Sequence, residues 1–439
     1  MLAKGDVVII VLDTLREDYS APLSKLLKMG LTKFGNAISQ YPWTLPAHVS
    51  MLTGQLASAH HVHESKHLYI SPELYQLSRW RLGNSEPNLL TRLKSWGYTN
   101  YCMSANPWLS PILGFKYDQY SGFDDFGVTG GVRELLTKRN ALKNAFILLR
   151  KGALLTLVRL SWRRIRVSFP PLAMARYMDK GSAHIIRNLR HQLPHFRRPF
   201  FLLLNLMEAH EPYLWGETEE DLLPLCMLGR PPDKGWWKVA YQVHADLAAS
   251  NCIKLVEELL PFDPLIIVTS DHGQLLGEKA RYGHGFFLDD ELLRVPLYVR
   301  FPSSMSEPAR AEGFVSLTEV PHLIQSVVEG LPVQLGSDLA FSESYGCHSP
   351  LSRALSAQDK ERIANLSGRR IKVFSAGGSV TYNQTTRCVE DSTPTLSEAE
   401  IQLLVKSIPE EAPPPAPGIT FNPEDEKSLR ERLHNLGYE

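Results

Sequence analysis

Short runs of consecutive apolar residues punctuate the chain at Val7–Leu12, 200–205, Leu265–Thr269 and 295–299. No regular polar position interrupts them, so they predict strands covered on both faces, not strands with one face in water. Between them the apolar positions return at helical spacing, as over 87–96 and 241–260. Gly97 suits the end of the first of these helices, with a further strand expected over 100–104. Strands alternating with helices predict an α/β fold, a three-layer sandwich with a large, mostly parallel central sheet.

Residues 1–330 are assigned to this main domain and 331–439 to a small C-terminal subdomain with a Pro-rich tail. Glu343-Ser344-Tyr345-Gly346 is expected to begin the first strand of the subdomain. The tail carries Pro413-Pro414-Pro415 within a stiff linker over 409–418, and a short amphipathic helix is expected over 423–436. One segment breaks the main pattern. Residues 138–166 mix Leu, Ile, Val and Trp with nine cationic side chains, among them Arg150, Arg159 and Arg163, and contain no acid. This reads as a basic amphipathic helical insertion. A surface helix pair, an interfacial segment on anionic lipid and a partner-protein surface all fit it.

Composition narrows the function. Lys+Arg and Asp+Glu are both 47 over 439 residues, so no global field points to nucleic acid. The five cysteines are scattered and lack C-x-x-C spacing, which disfavours a disulfide framework and a thiolate zinc site and fits a reducing compartment. The apolar run after Lys4 is too short for a secretory h-region and ends in Asp13. No segment reaches the roughly 18 apolar residues of a membrane span. A cytoplasmic protein is expected, with peripheral membrane contact through 138–166.

The candidate chemistry sits where strands end. Val7–Leu12 runs into Asp13, and Leu265–Thr269 into Ser270-Asp271-His272-Gly273. In open parallel sheets, sites form beyond the carboxyl ends of the strands. Asp13, Asp271 and His272 would converge there as metal ligands, with Gly273 allowing the turn. In Trp43-Thr44-Leu45-Pro46-Ala47-His48, Pro46 suits the first turn of a helix that Gly54 would close. Thr44 at its N-terminus reads either as the N-cap or as a nucleophile helped by the helix dipole and a metal. His210 in Glu208-Ala209-His210-Glu211-Pro212-Tyr213 and His284 in Tyr282-Gly283-His284-Gly285 also follow strands.

Taken in order, these motifs resemble sulfatase-like enzymes of the alkaline phosphatase superfamily. Thr44–Gly54 is similar to the family's nucleophile motif, C/S/T-x-P-x-R/H followed by S-x-L-T-G. The segment from Ser270 to Gly285, followed by Glu291-Leu292-Leu293-Arg294-Val295-Pro296-Leu297, resembles its second metal motif and the strand after it. The resemblance implies one divalent metal ion on Asp13, Thr44, Asp271 and His272. Mn²⁺ or Zn²⁺ is favoured by the His, Mg²⁺ and Ca²⁺ remain compatible, and a second metal is left open. It implies that Thr44, His210, His284 and Lys279 act on the transferred group, with His48 and Arg16 binding substrate.

The departures from the family pattern bear on the chemistry. Asp13 is followed by Thr14 rather than a second acid, His48 replaces an Arg, and Lys279 replaces a His. Sulfatases convert a Cys or Ser to formylglycine, which a Thr cannot become. The expected activity is therefore metal-dependent hydrolysis of phosphate mono- or diesters, or of sulfate esters, through a covalent Thr ester, with phosphate favoured. A phospho-head-group transferase acting on a glycan or lipid, and an inactive sulfatase-like binding protein, are the alternatives. The expected partner is a small anionic ester or a glycan- or lipid-linked substrate. Tyr213-Leu214-Trp215 and Trp236-Trp237 read either as a sugar or lipid platform or as packing residues.

Overall fold

The computed structural model describes residues 5–64, 72–85, 88–122, 178–211, 213, 222–231, 233, 235–305, 310–347 and 355–413. The basic stretch 138–166 and the helix expected over 423–436 lie outside them.

A seven-stranded sheet runs, edge to edge, through Thr32–Lys33, Leu297–Arg300, Leu265–Thr269, Val7–Leu12, Phe200–Leu206, Thr99–Ser104 and Gln119–Ser121. Val7–Leu12 is central and pairs in parallel with Phe200–Leu206 on one side and Leu265–Thr269 on the other. All six of its residues are buried, as an unbroken apolar run requires. Its side chains alternate between two cores. Val8, Ile10 and Leu12 pack with the helices Ser182–Gln192 and Trp237–Leu259. Val7, Ile9 and Val11 pack with Leu45, Val49 and Leu52 of helix Thr44–Thr53 and with Leu89, Leu90 and Leu93 of helix Leu89–Ser95. Helices therefore cover both faces, giving the expected three layers. The buried alanines Ala240, Ala245, Ala248 and Ala249 of the Trp237–Leu259 helix belong to the first of these cores.

One strand runs against the rest. Leu297–Arg300 pairs antiparallel with Leu265–Thr269. The intervening chain holds two-residue strands, the 3-10 turn Glu278–Ala280 and the four-residue helix Asp290–Leu293, with no crossover helix to carry it to the far edge. It stays at the carboxyl edge, builds the loop that carries Asp271 and His272, and re-enters the sheet where it left.

Register brings the strand ends level. Ser104 and Val11 lie opposite Asn205 from its two sides, and Val11 lies opposite Thr269 on the other side of the central strand. Residues just beyond these positions share one edge.

A second sheet, antiparallel, is formed by Leu339–Ser344, Arg370–Ser375, Gly378–Asn383 and Cys388–Ser392 in that order. Its first strand starts earlier than expected, so Glu343 and Ser344 end it rather than begin it. The reason is burial: Glu343 is inside and forms an ion pair with Arg369, the residue just before the neighbouring strand. All five cysteines are free thiols, four of them buried. Among the described residues, no helix is long and apolar enough to cross a membrane.

Candidate functional site

Asp13 begins the site. Its N–H continues the sheet pattern by donating to Leu206 O at 2.9 Å, which holds the side chain at the strand end. Asp13 Oδ2 accepts from Asn106 Nδ2 at 2.8 Å and Asn205 Nδ2 at 3.3 Å. Asp13 Oδ1 is buried and has no hydrogen-bond partner. The chain then turns at Thr14, a β-branched residue in the left-handed region with φ 61°. That turn aims Thr14 N–H at Asp271 Oδ1, 3.2 Å away, where His272 N–H also donates. Asp271 Oδ2, like Asp13 Oδ1, is buried without a hydrogen-bond partner.

Ligand atoms of Asp13, Asp271 and His272 all lie within 4.8 Å of one another. Burial, and next the neighbouring Asp271, raise the Asp13 carboxyl above the usual carboxylate range, against His210, His272 and Asn106. Two adjacent buried carboxylates, each with an unsatisfied oxygen, are costly unless a positive charge joins them. The donor set of two carboxylates and one imidazole fits a divalent cation. His272 is prepared for such a role, since its Nδ1–H donates to Gly273 O at 2.9 Å and leaves the Nε2 lone pair facing the site. Gly273 is needed here for space: a Cβ at this position would lie 1.9 Å from Glu291 O.

Thr44 enters from the helix Thr44–Thr53. Its Oγ1 lies 3.4 Å from His272 Nε2 and 3.4 Å from Asn106 Nδ2. The N-cap is Trp43, in extended conformation, so Thr44 is the first helical residue and its hydroxyl is not spent on capping. Trp43 is fixed by Glu64, which accepts from Trp43 Nε1 at 2.7 Å, Tyr41 OH at 2.9 Å and Gly346 N at 3.2 Å. Burial outweighs these three donors and pushes the Glu64 carboxyl up to about 7.

His48, one turn beyond Thr44, donates from Nδ1 to Thr44 O at 2.9 Å and lies 3.7 Å from Asp271 Oδ2. Its Nε2 is buried without a hydrogen-bond partner. His210 and His284 stand beside the carboxylates, with ring centroids 5.1 Å apart, and His284 lies 4.7 Å from the His272 ring. His210 Nδ1–H donates to Glu211 O at 2.6 Å, and His284 Nδ1–H to Gln274 Oε1 at 2.7 Å. Gln274 in turn donates to Glu211 Oε2 at 2.8 Å. Burial alone would lower the His210 imidazole, but Glu211 and Asp13 outweigh it and raise it.

Two residues expected at the site are engaged elsewhere. The Arg16 guanidinium is held by Asp18, Glu278 and Gln274 O. It ties the first strand's loop to the second. Lys279 is mostly exposed and pairs with Asp289 and Asp391, the latter on the C-terminal sheet. Trp237 and Tyr213 are buried and meet edge to face, which makes them packing residues, while Leu214 and Trp215 lie outside the described residues.

Other residues join the site without having been singled out. Asn106 and Asn205 follow from the strand-end rule that identifies Asp13. Glu211 and Gln274 sit next to expected residues. Lys180 has no such signal. Its Nζ donates to His210 O and to Glu208 O. Burial lowers it to about 8, against the pull of Glu211, Glu208 and Asp13.

The model of the sulfatase family matches residues 6–330. A stretch of 107 residues is 33% identical to the low-salt glycan biosynthesis sulfotransferase Agl7 of Haloferax volcanii, covering 23% of this chain and 26% of that protein. The match thus spans about a quarter of that relative's length. Over nearly the whole length, the fold is similar to the phosphonate monoester hydrolase SpPMH of Silicibacter pomeroyi, with TM-score 0.55, 15% identity, and 98% and 96% of the two chains covered. It is equally similar to a 2-O GAG sulfatase, with TM-score 0.55, 12% identity, and 99% and 91% covered. From the match over residues 6–330 and the mixed α/β sheet shared with both structures, the chain belongs to the sulfatase family.

Proposed function

We propose that this protein is a metal-dependent phosphoryl-transfer enzyme that hydrolyses anionic phosphoesters through Thr44. The observation that carries the reading is the meeting of three features at one sheet edge. Two buried carboxylates each present an unpartnered oxygen, a histidine presents a free lone pair, and the uncapped hydroxyl of Thr44 lies 3.4 Å from that histidine. Asp13, Asp271 and His272 would hold a divalent cation, which when bound lowers the pKa of a nearby hydroxyl and shields an anionic ester.

The chain's own residues do the rest. Asn106 orients Thr44 Oγ1 and Asp13 Oδ2 with one amide. Thr44 gives its hydroxyl proton to solvent and its Oγ1 attacks phosphorus in line; the Oγ1–P bond forms as the P–O bond to the alcohol breaks. His284 protonates the departing oxygen, and Gln274 holds its other nitrogen. His210 and the buried Nε2 of His48 face the anionic oxygens. Water then opens the Thr ester, releasing phosphate or its monoester and restoring Thr44. A threonine has a single hydroxyl and no route to a hydrated aldehyde, so ester opening must occur by attack at the transferred atom, which phosphorus accepts readily.

The partial similarity to a sulfotransferase favours one second reading, sulfuryl transfer at the same site. A panel of p-nitrophenyl phosphate, bis-p-nitrophenyl phosphate, a phosphonate monoester and p-nitrophenyl sulfate separates them. Each substrate is assayed with Mn²⁺, Zn²⁺, Mg²⁺ and Ca²⁺, and with glycerol as an acceptor. Phosphoester turnover that needs metal supports the proposal, and turnover of the sulfate alone replaces it with sulfuryl transfer. Product bound to glycerol in excess of free product indicates a transferase.

A further inference from the structure

A second cluster of ligand-type side chains lies away from Thr44, at the seam between the main sheet's helices and the last described segment. His61, His63 and Glu411 bring one ligand atom each within 4.8 Å of the others. His61 closes the short helix Ala57–His60 in the left-handed conformation, φ 60°, and its Nε2 is buried with no hydrogen-bond partner. His63 Nδ1–H donates to Glu64 O at 2.7 Å, which leaves its Nε2 as a lone-pair donor. Its ring stacks on Tyr345. Tyr345 OH donates to Glu411 Oε1 at 3.1 Å and leaves Oε2 available.

Two imidazoles with a carboxylate form a set suited to a first-row divalent cation. Two of the three donors are also held from behind, His63 by a backbone carbonyl and Glu411 by a phenol, as ligands of bound metals commonly are. The surroundings show what such an ion would fasten. Ala412 N donates to Ser58 O at 3.0 Å, and Arg369 donates to Pro409 O at 2.9 Å. The segment 409–412 thus already lies on the Ala57–His60 helix and the C-terminal sheet by a few bonds. Ser50 of the Thr44 helix in turn shares a 2.9 Å hydrogen bond with His60.

We propose that His61, His63 and Glu411 form a zinc-class metal site that clamps the C-terminal segment onto the turn following the Ala57–His60 helix. Three protein donors leave the fourth position to water, so the ion exchanges and can be removed by chelators. This site is independent of the proposed reaction at Thr44.

The test is metal stoichiometry and tail protection in the full chain. The protein is stripped with a chelator, titrated with Zn²⁺, and repeated with Co²⁺ for its absorption spectrum. The variants are His63→Ala and Glu411→Gln; Glu411 is exposed, so the second preserves folding even where the first does not. The proposal expects one Zn²⁺ fewer, or at least tenfold weaker binding of one ion, in each folded variant. It also expects slower amide exchange over 398–413 when Zn²⁺ is added to the wild type, and no such slowing in Glu411→Gln. Unchanged stoichiometry and affinity in Glu411→Gln overturn it, as does exchange over 398–413 that ignores Zn²⁺.

Discussion

Thr44 offers one hydroxyl, and its neighbours decide what that hydroxyl can do. Asn106 and His272 approach it from two sides at 3.4 Å, and no capping bond competes for it. The strand-end rule made Asp13, Asp271 and His272 legible in the sequence, because each follows an apolar run and the register brings those ends level. The same rule reaches Asn106 and Asn205. It fails for Lys180, which follows no strand, and for Lys279, whose acid Asp391 lies 112 positions away and comes near only through the C-terminal sheet. Arg16 also misleads a reader of the sequence, since its two acids, Asp18 and Glu278, take up its charge only once the loops meet.

Lys180 makes a testable pH dependence at this scale. Its folded pKa is about 8 against the ordinary 10.5, so above pH 8 the unfolded chain binds more protons than the folded one. Its contribution is therefore present at high pH and lost as pH falls through about 8. Urea unfolding of the metal-stripped protein between about pH 8 and 9.5, compared with Lys180→Met, isolates the effect. The wild type is expected to gain on the order of 1–2 kcal/mol relative to the variant as pH rises over that range.

At the scale of elements, the loop after Leu265–Thr269 does the most with the fewest residues. It turns back at the carboxyl edge, presents Asp271 and His272, and becomes the antiparallel strand that the sequence pattern could not distinguish from a parallel one. An apolar run reports burial on both faces and says nothing of direction. Gly273 makes the loop fit, with its N–H donating to Leu292 O at 2.8 Å and no room for a Cβ against Glu291 O. Gly273→Ala is expected to displace the Asp271–His272 pair, reducing metal affinity at least tenfold while leaving the far-ultraviolet circular dichroism close to that of the wild type. Isothermal titration with Mn²⁺ or Zn²⁺ in the Glu411→Gln background reads this without the second proposed site. The entry to the Thr44 helix is fixed in a comparable way, by Glu64 through Trp43 and Tyr41. No spacing in the sequence announced that carboxylate, because its partners come together only when Gly346 arrives from the C-terminal half.

At the scale of the whole molecule, the sheet and its two covering layers were legible because the apolar runs and helical spacings agree. The C-terminal sheet's first strand was misplaced because Glu343 is charged yet buried, paired with Arg369. Under the proposed metal site, the paired carboxylates would make the fold sensitive to a bound cation. Removing it with a chelator is expected to lower the unfolding temperature reversibly, since a ligand at a hundred times its Kd contributes about 2.7 kcal/mol. A thermal scan of the Glu411→Gln protein, which lacks the second proposed site, with and without Mn²⁺ or Zn²⁺ checks this, and adding Asp271→Asn is expected to abolish the difference.

The central claim is that Thr44 carries the transferred group. The most direct measurement is rapid acid quench of the metal-loaded enzyme during turnover of bis-p-nitrophenyl phosphate, followed by mass spectrometry of the peptide containing Thr44. The account predicts a phosphoester adduct on Thr44 that forms before steady state, and loss of at least about a thousandfold in kcat for Thr44→Ala. Turnover with Thr44 unmodified, and undiminished in Thr44→Ala, would contradict it.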